Sequence, residues 1–500
     1  MKRAAGLAAA VLLLPIGAAR AQDTDPGASA SGPNVVIVMT DDQRYDDMAA
    51  MPITRNLIGG AGVTFTRSYV SYPVCCPSRA TFLTGQYAHN NGVRCLYPWC
   101  GGGFGALKQE QYLPVWLEDA GYVTAHIGKF LNGYGKERPP DKPNGWTEWY
   151  GLIDHYTYRM WGFQLFENDQ RRRYGRILGR RAEDYQTDVL TRKAVDFISR
   201  RAPDPEPFFL SVAYLAPHHE SAKTQKLTHK LVRPAPRHRG SYANLPLPRP
   251  PNYNESDLSD KPSFLERFNP PINASREAAI TTRLRERWES LLAVDDGVKK
   301  IIDKLQDQRE LNNTYVIFTS DHGFMQGEHR IPQGKMVPYD ESTQVPLLIR
   351  GPRIPRGGTT KALVGNVDLA PTILEATGAR ATRTLDGRSF LRFARNLRAR
   401  NLRLLLHETA GQAAKGRTNT REGGVRGSQP RVPAWSAVRT TQWLYIEYKG
   451  GQRELYNTTN DRWQRRSRVR NPKLLRRIRT LRRQLQDLRV CRGTECARVR

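Results

Sequence analysis

Cys75-Cys76-Pro77-Ser78-Arg79 sets a thiol, a helix start and a guanidinium side by side. Ser78 to Leu83 has helix-compatible spacing, with proline ahead of it and Gly85 behind it, the ordinary start and stop signals of a helix. Cys75 therefore falls at or just before a helix N-terminus, where unpaired N–H groups and the helix dipole favour an anion. One turn on, Arg79 offers a planar cation suited to a tetrahedral oxyanion. A nucleophile precursor in an anion cradle is one reading of this stretch. A buried or disulfide-bonded cysteine before a surface helix is the other.

The elements that must position such a site come from the rest of the chain. Asn34 to Thr40 (NVVIVMT) is an unbroken apolar run of the kind that forms a strand buried on both faces of a parallel sheet, and Asp41-Asp42 follow it at once. Adjacent carboxylates at the end of a buried strand repel one another, and a metal ion is the usual remedy. Tyr122 to His126 leads to Gly128-Lys129, a lysine that points either into a site or into solvent. Phe208 to Leu215 ends at Ala216-Pro217-His218, and Thr314 to Thr319 ends at Ser320-Asp321-His322. Ligands of parallel sheets gather beyond the carboxyl ends of the strands. Asp41, Asp42, Lys129, His218, Asp321 and His322 all occupy such positions, which predicts one site assembled from distant segments. Three carboxylates and an imidazole suit a hard divalent cation, calcium first and magnesium second, while the imidazole adds some affinity for manganese or zinc.

Cys75 to Arg79 resembles the C-x-P-S-R signature of the sulfatase family, the formylglycine-dependent branch of the alkaline phosphatase superfamily, and Ala80 to Gly85 continues it. DDQRYDDM (41–48) resembles the family's first metal motif. GKFLNGYG (128–135) is similar to the G-K segment of N-acetylglucosamine-6-sulfatase-like and arylsulfatase-like members, and Ala216-Pro217-His218 to the A-P-H segment. SDHGFMQGEHR (320–330), the K-x-x-x-Y-D-E run from Lys335, VPLLIRGP (345–352) and NVDLAPTILEATG (366–378) extend the likeness. Two departures matter: Leu131 stands where other members carry a histidine, so no role is given to it, and NTTNDRWQRRSRVRN (457–471) replaces the usual continuation near the end.

The resemblance implies an α/β fold with a large, mixed, mostly parallel sheet sandwiched by helices, plus a small C-terminal antiparallel sheet with a helix. It implies that a formylglycine-generating enzyme oxidises Cys75 to formylglycine (3-oxoalanine) during export. A hydroxyl of the hydrated aldehyde then attacks the sulfur of a sulfate ester, and the second hydroxyl expels sulfate. Asp41, Asp42, Asp321, His322 and the oxygens of modified Cys75 would hold the metal. Arg79, Lys129 and Lys335 would neutralise oxyanion charge, and His218 or Lys335 would protonate the leaving alcohol. The substrate class is 6-O-sulfated amino sugars of glycosaminoglycans, with small aryl sulfates as the alternative. Two further readings remain: a phosphomonoester or phosphonate hydrolase on the same fold, and an inactive heparin-binding protein.

Segmentation and composition frame these assignments. Lys2-Arg3, the apolar run Leu7 to Ile16 and Ala19-Arg20-Ala21 read as a signal peptide over 1–21, hence a secreted, periplasmic or extracellular protein with no transmembrane segment. A polar stretch covers 22–33, the catalytic domain 34–390, and a C-terminal subdomain with a basic amphipathic helix 391–500. Leu or Ile at 474, 478, 481, 485 and 488 gives that helix one apolar and one arginine face. The net charge of +30 attracts polyanions, but no nucleic-acid-binding motif accompanies it, so nucleic acid is not an expected partner. Of six cysteines, Cys95 and Cys100, and Cys491 and Cys496, are close enough to pair, which leaves Cys75 available for modification. Asn144 to Arg180, rich in aromatics and then in arginine, reads as a long loop, and Ser275 as the N-cap of a helix to Leu305.

Overall fold

A computed structural model describes residues 32–136, 140–176, 181–220, 232–411 and 432–499. The expected signal peptide lies outside the described residues, as does all but Gly411 of the stretch from Gly411 to Gln429, whose Gly, Ser and Arg content predicts a flexible loop. The apolar runs become the middle of a ten-stranded sheet ordered β11-β2-β10-β9-β1-β8-β4-β5-β6-β7. These strands are β1 (Asn34–Thr40), β2 (Val63–Phe65), β4 (Val123–Gly128), β5 (Glu148–Leu152), β6 (Phe163–Glu167), β7 (Gln170–Tyr174), β8 (Phe208–Ala213), β9 (Thr314–Ser320), β10 (Leu347–Arg350) and β11 (Gly358–Thr360). A short parallel pair, β3 (Ser68–Tyr69) and β12 (Val364–Gly365), stands apart. The central five, β9, β1, β8, β4 and β5, are mutually parallel, and antiparallel neighbours close both flanks.

Alternation along β1 explains why its sequence has no polar face. Val35, Ile37 and Met39 enter one core, against the helices Cys75–Thr84 and Leu369–Thr377, while Val36 and Val38 enter the other, against Gln186–Arg201 and Ala274–Asp307. Each buried valine or isoleucine stabilises this register by roughly 1.5–3 kcal/mol. A slip of one residue would exchange the two faces and carry Asp41 and Asp42 with them. In the observed register Thr40 faces Ser320 and Met39 faces Ala213, so the ends of three strands lie level.

Two expectations need correction. Asn144 to Arg180 is not a loop: β5, β6 and β7 extend the sheet there. Trp146, Trp149, Tyr150, Tyr158 and Trp161 are buried in it, whereas Tyr156 is half-buried. Tight turns and an exposed, arginine-rich edge strand (β7, QRRRY) hid the alternation. The long helix starts at Ala274, and its cap is Asn273, whose side chain accepts from Arg276 N, rather than Ser275.

The last part forms a four-stranded antiparallel sheet, β13 (Leu405–Thr409), β14 (Trp435–Arg439), β15 (Trp443–Tyr448) and β16 (Arg453–Asn457). The helix Leu475–Val490 lays Ile478, Leu481, Leu485 and Leu488 into a cluster with Val438, Tyr445 and Leu455. Disulfides join Cys95 to Cys100 and Cys491 to Cys496, and Cys75 keeps its thiol. Among the described residues no helix is long and apolar enough to cross a membrane.

Candidate active site

Cys75 is the first residue of its helix, after extended Val74, and Gly85 closes the far end in the left-handed region (φ 63°), as the sequence signals required. Asn366 fixes the helix start, donating to Ser78 O (3.1 Å) and Ser78 Oγ (2.9 Å) and accepting from Ser71 N (3.0 Å). The dipole and free N–H groups of this end therefore point at whatever the Cys75 sulfur meets.

Around that sulfur the strand ends converge. Cys75 Sγ lies 3.5 Å from Asp41 Oδ1, 3.2 Å from His322 Nε2 and 3.1 Å from Lys335 Nζ. Lys335 also donates to Asp42 Oδ1 at 2.8 Å. Lys129 donates to Asp41 Oδ2, and its ammonium stands 4.7 Å above the Tyr158 ring. Arg79 uses its fork twice, Nε to Asp321 Oδ2 (2.9 Å) and a terminal nitrogen to Lys129 O (2.6 Å), with Asp41 3.9 Å away. Asp321 Oδ1 accepts from Asp42 N at 3.1 Å. Every site residue inferred from sequence, Lys335 included, thus falls in one buried cluster in which three carboxylates meet three cations.

The electrostatics follow from burial opposed by pairing. Burial alone would raise the carboxyl of Asp41, but the cations Lys129, Arg79 and Lys335 hold it well below the usual range. Asp42 is held low against its burial chiefly by Lys335. The Cys75 thiol goes the other way: burial and Asp41 push it well above its ordinary value, more than Lys129 and Lys335 can offset. An unmodified thiol here is neutral and a weak nucleophile. Burial lowers His218 to about 3 and also depresses His322, so both imidazoles are neutral.

These groups also fit a cation. With Nδ1 donating to Gly323 O at 2.9 Å, His322 turns the lone pair of Nε2 toward Asp42 Oδ1 (3.3 Å) and the Lys335 ammonium (3.3 Å). Asp42 Oδ2 and His218 Nε2, both buried and without a hydrogen-bond partner among the described residues, face each other at 3.6 Å, two acceptors that call for a positive centre between them. Asp41, Asp42, Cys75 and His322 each offer one ligand atom within 4.8 Å of the others, as do Asp42, His218 and His219. Asp321 is in neither set; its oxygens serve Arg79 and Asp42 N.

Comparison with known proteins agrees with this geometry. The profile of a family described as Sulfatase matches residues 33–379. The chain belongs to the sulfatase family. It is 36% identical over 396 residues to N-acetylglucosamine-6-sulfatase of Capra hircus, covering 76% of this chain and 67% of that one. Two solved structures share its fold. One is a protein in complex with its substrate D-glucosamine-2-N,6-O-disulfate (TM-score 0.71, 22% identity, 91% of this chain and 97% of that one). The other is a phosphonate monoester hydrolase from Silicibacter pomeroyi (TM-score 0.67, 23% identity, 91% and 94%). As a sulfatase the protein is a sulfuric ester hydrolase of a metal-using family, on the alkaline phosphatase-like fold.

The structure adds residues that sequence reading did not assign to the sulfatase site. Tyr158 lies under Lys129 and tilts against His218, ring centroids 4.9 Å apart. His219 joins the second group of possible metal ligands, and Ser78 and Asn366 hold the nucleophile helix. Ser78 and Asn366 stand inside motifs that carried the family likeness, Tyr158 among the aromatics of the stretch read as a loop and His219 beside His218, but nothing in the sequence gave any of them these positions in the site.

Proposed function

We propose that this chain is an exported sulfatase that releases sulfate from 6-O-sulfated amino sugars of glycans, using formylglycine at Cys75 and a bound divalent cation. The observation that carries the reading is the Cys75 sulfur at a helix N-terminus within 3.5 Å of Asp41, His322 and Lys335. Formylglycine is supported by the raised thiol: an aldehyde hydrate supplies hydroxyl groups where a neutral, buried thiol would attack poorly. A sulfated cysteine would also lack the second hydroxyl that expels sulfate.

Asp41, Asp42, His322 and the oxygens of modified Cys75 would hold the cation together with Asp321, which would share its oxygens with Arg79 and Asp42 N, calcium ahead of magnesium given the predominance of oxygen donors. When bound, it would supply charge stabilisation to the sulfate oxygens and lower the pKa of the attacking hydroxyl. The protein's own groups do the rest. Arg79, Lys129 and Lys335, with the helix N-terminus, neutralise charge that grows on the sulfuryl oxygens, usually the largest single catalytic contribution. Lys335 carries a proton to hand on to the leaving alcohol. His218, neutral in the resting site, has its Nε2 open to receive one. The sugar assignment is supported by the GKFLNGYG segment and by the named activity of the goat relative.

Phosphonate or phosphate monoester hydrolysis is the second reading, favoured by the likeness to a phosphonate monoester hydrolase and by the tetrahedral shape of both anions. Side-by-side turnover of an aryl sulfate, an aryl phosphate, an aryl phosphonate and N-acetylglucosamine 6-sulfate tests the proposal. Sulfate release from the sugar is the expected result, and faster turnover of both phosphorus esters than of either sulfate would overturn it. Mass spectrometry of the tryptic Cys75 peptide from active protein should show the aldehyde.

A further inference from the structure

A cavity of about 440 Å³ opens at the end of the nucleophile helix away from Cys75. Gln86, His89 and Asn90 border it just beyond Gly85, so about 15 Å of helix separates it from the reacting centre. Arg383, Thr384 and Arg492 complete the polar wall. No carboxylate and no Phe, Tyr or Trp lines it. Gln86 is 92% buried, donates through Nε2 to Thr384 O (2.9 Å), and leaves its Oε1 without a partner among the described residues. An orphaned acceptor in a polar recess is costly unless something donates to it. The Arg492 side chain makes no ion pair or hydrogen bond among the described residues, and Arg383 reaches only Gln111 O at 3.3 Å.

The wall is held firmly. Asp386 accepts from Tyr87 N (2.8 Å), Asn90 Nδ2 (2.9 Å) and Gly493 N (2.7 Å), tying three segments together behind it. Cys491 O accepts from Asn90 Nδ2 at 2.8 Å, and the Cys491–Cys496 disulfide closes the loop that carries Arg492. The helix Leu475–Val490 leads into that loop with exposed Arg476, Arg479 and Arg483, none of them in an ion pair among the described residues. From Arg462 to Arg498 there are fourteen Lys and Arg against two acidic residues, so the approach to the cavity carries a strong net positive charge.

We propose that this cavity is a second binding site, distinct from the catalytic centre, for one sugar unit of a sulfated polysaccharide whose neighbouring units run along the arginine face of the C-terminal helix. Amide and hydroxyl groups match sugar hydroxyls, Gln86 Oε1 accepts from one of them, and the two guanidinium groups take sulfate or carboxylate. Nucleic acid fits less well, because binding of single strands relies on aromatic faces that this wall lacks. The site would hold a polymer to the enzyme while its ends are processed, and it does not depend on what Cys75 does.

The test is binding of a size-defined heparin oligosaccharide by the intact protein over a range of NaCl concentrations, comparing parent, R383A/R492A and a control that removes Arg171 and Arg172 from the exposed edge strand β7. The cavity double variant should bind about fivefold more weakly, with a log Kd against log [NaCl] slope shallower by about 2, one counter-ion for each lost guanidinium. It should hydrolyse a small aryl sulfate at the parent rate and show a raised KM with unchanged kcat on a polymeric sulfated substrate. Gln86→Met, which keeps charge constant, should also weaken heparin binding. Parent-like heparin affinity of R383A/R492A, an equal loss in the β7 control, or equal affinity of the parent for a DNA duplex would each overturn the proposal. Loss of small-substrate turnover in R383A/R492A would also count against it, by joining the cavity to the catalytic centre.

Discussion

Replacing Arg79 tests the central electrostatic reasoning. Arg79 is buried, its Nε on Asp321 and a terminal nitrogen on the Lys129 carbonyl, and burial, which would lower its pKa, is overcome by Asp321 and Asp41. Arg79→Ala would take one donor each from Asp321 Oδ2 and Lys129 O and leave Asp41 with one fewer cation. Breaking a buried pair in this way costs about 3–5 kcal/mol. At roughly 1 °C per kcal/mol for a chain of this length, the thermal midpoint should fall by about 3–5 °C. Arg79→Lys keeps the charge but has one donor centre for two acceptors, so about half of that loss should return. Catalytically both variants should lose about 10²–10³ in kcat, the usual cost of removing a donor aimed at developing charge. Scanning fluorimetry at one fixed heating rate, paired with aryl sulfate turnover, reads both quantities. An Arg79→Ala protein that melts with the parent would refute the claim that this guanidinium balances the buried carboxylates.

Other outcomes follow from the same site. Cys75→Ala should abolish sulfate release while shifting the thermal midpoint by only a few degrees, since a small buried side chain is lost, which turnover and fluorimetry together check. Chelation should inactivate the protein and lower its midpoint, because Asp41, Asp42 and Asp321 then face one another with less compensation; calcium should restore both better than magnesium, as titration after dialysis would show. Acid should destabilise it. Burial lowers His126 and His407 to about 3, below the unfolded value, so the stability they contribute is complete above about pH 6.5 and is lost as pH falls toward 3, by up to roughly 1.4 kcal/mol per unit for each. His407→Gln should flatten the dependence of the midpoint on pH between 6.5 and 4. A parallel profile would rule His407 out as a source of acid lability.

Much of the site was legible because its residues follow strands that announce themselves. Continuous β-branched runs are buried on both sides, and the charged residue after such a run has nowhere to go but the sheet's carboxyl edge. Lys335 is different: it follows no strand, and only its likeness to a family motif marked it. The roles of Tyr158 and Asn366 were hidden for a physical reason, since an aromatic beside a cation and an amide bonding a distant helix depend on tertiary approach rather than local period. The misread stretch from Asn144 to Arg180 shows the same limit. Its strands are five residues each, only β6 alternates, β5 is buried throughout, and β7 exposes arginines where an interior strand would bury valine. Edge strands carry weak signals because half their environment is water.

The C-terminal sheet is more than an appendage, as its grip on the Lys335 loop shows. Trp435 Nε1 donates to Met336 O at 2.7 Å, Tyr339 donates to Glu454 Oε1 at 3.0 Å, and Arg439 pairs with Asp340. Without β14 and β16 the residues on either side of the lysine would lose these ties and keep contacts such as Met325 N on Gly334 O. The small sheet therefore braces the wall nearest the sulfur from outside the main sheet, and loosening it would reach the lysine before any other group of the site.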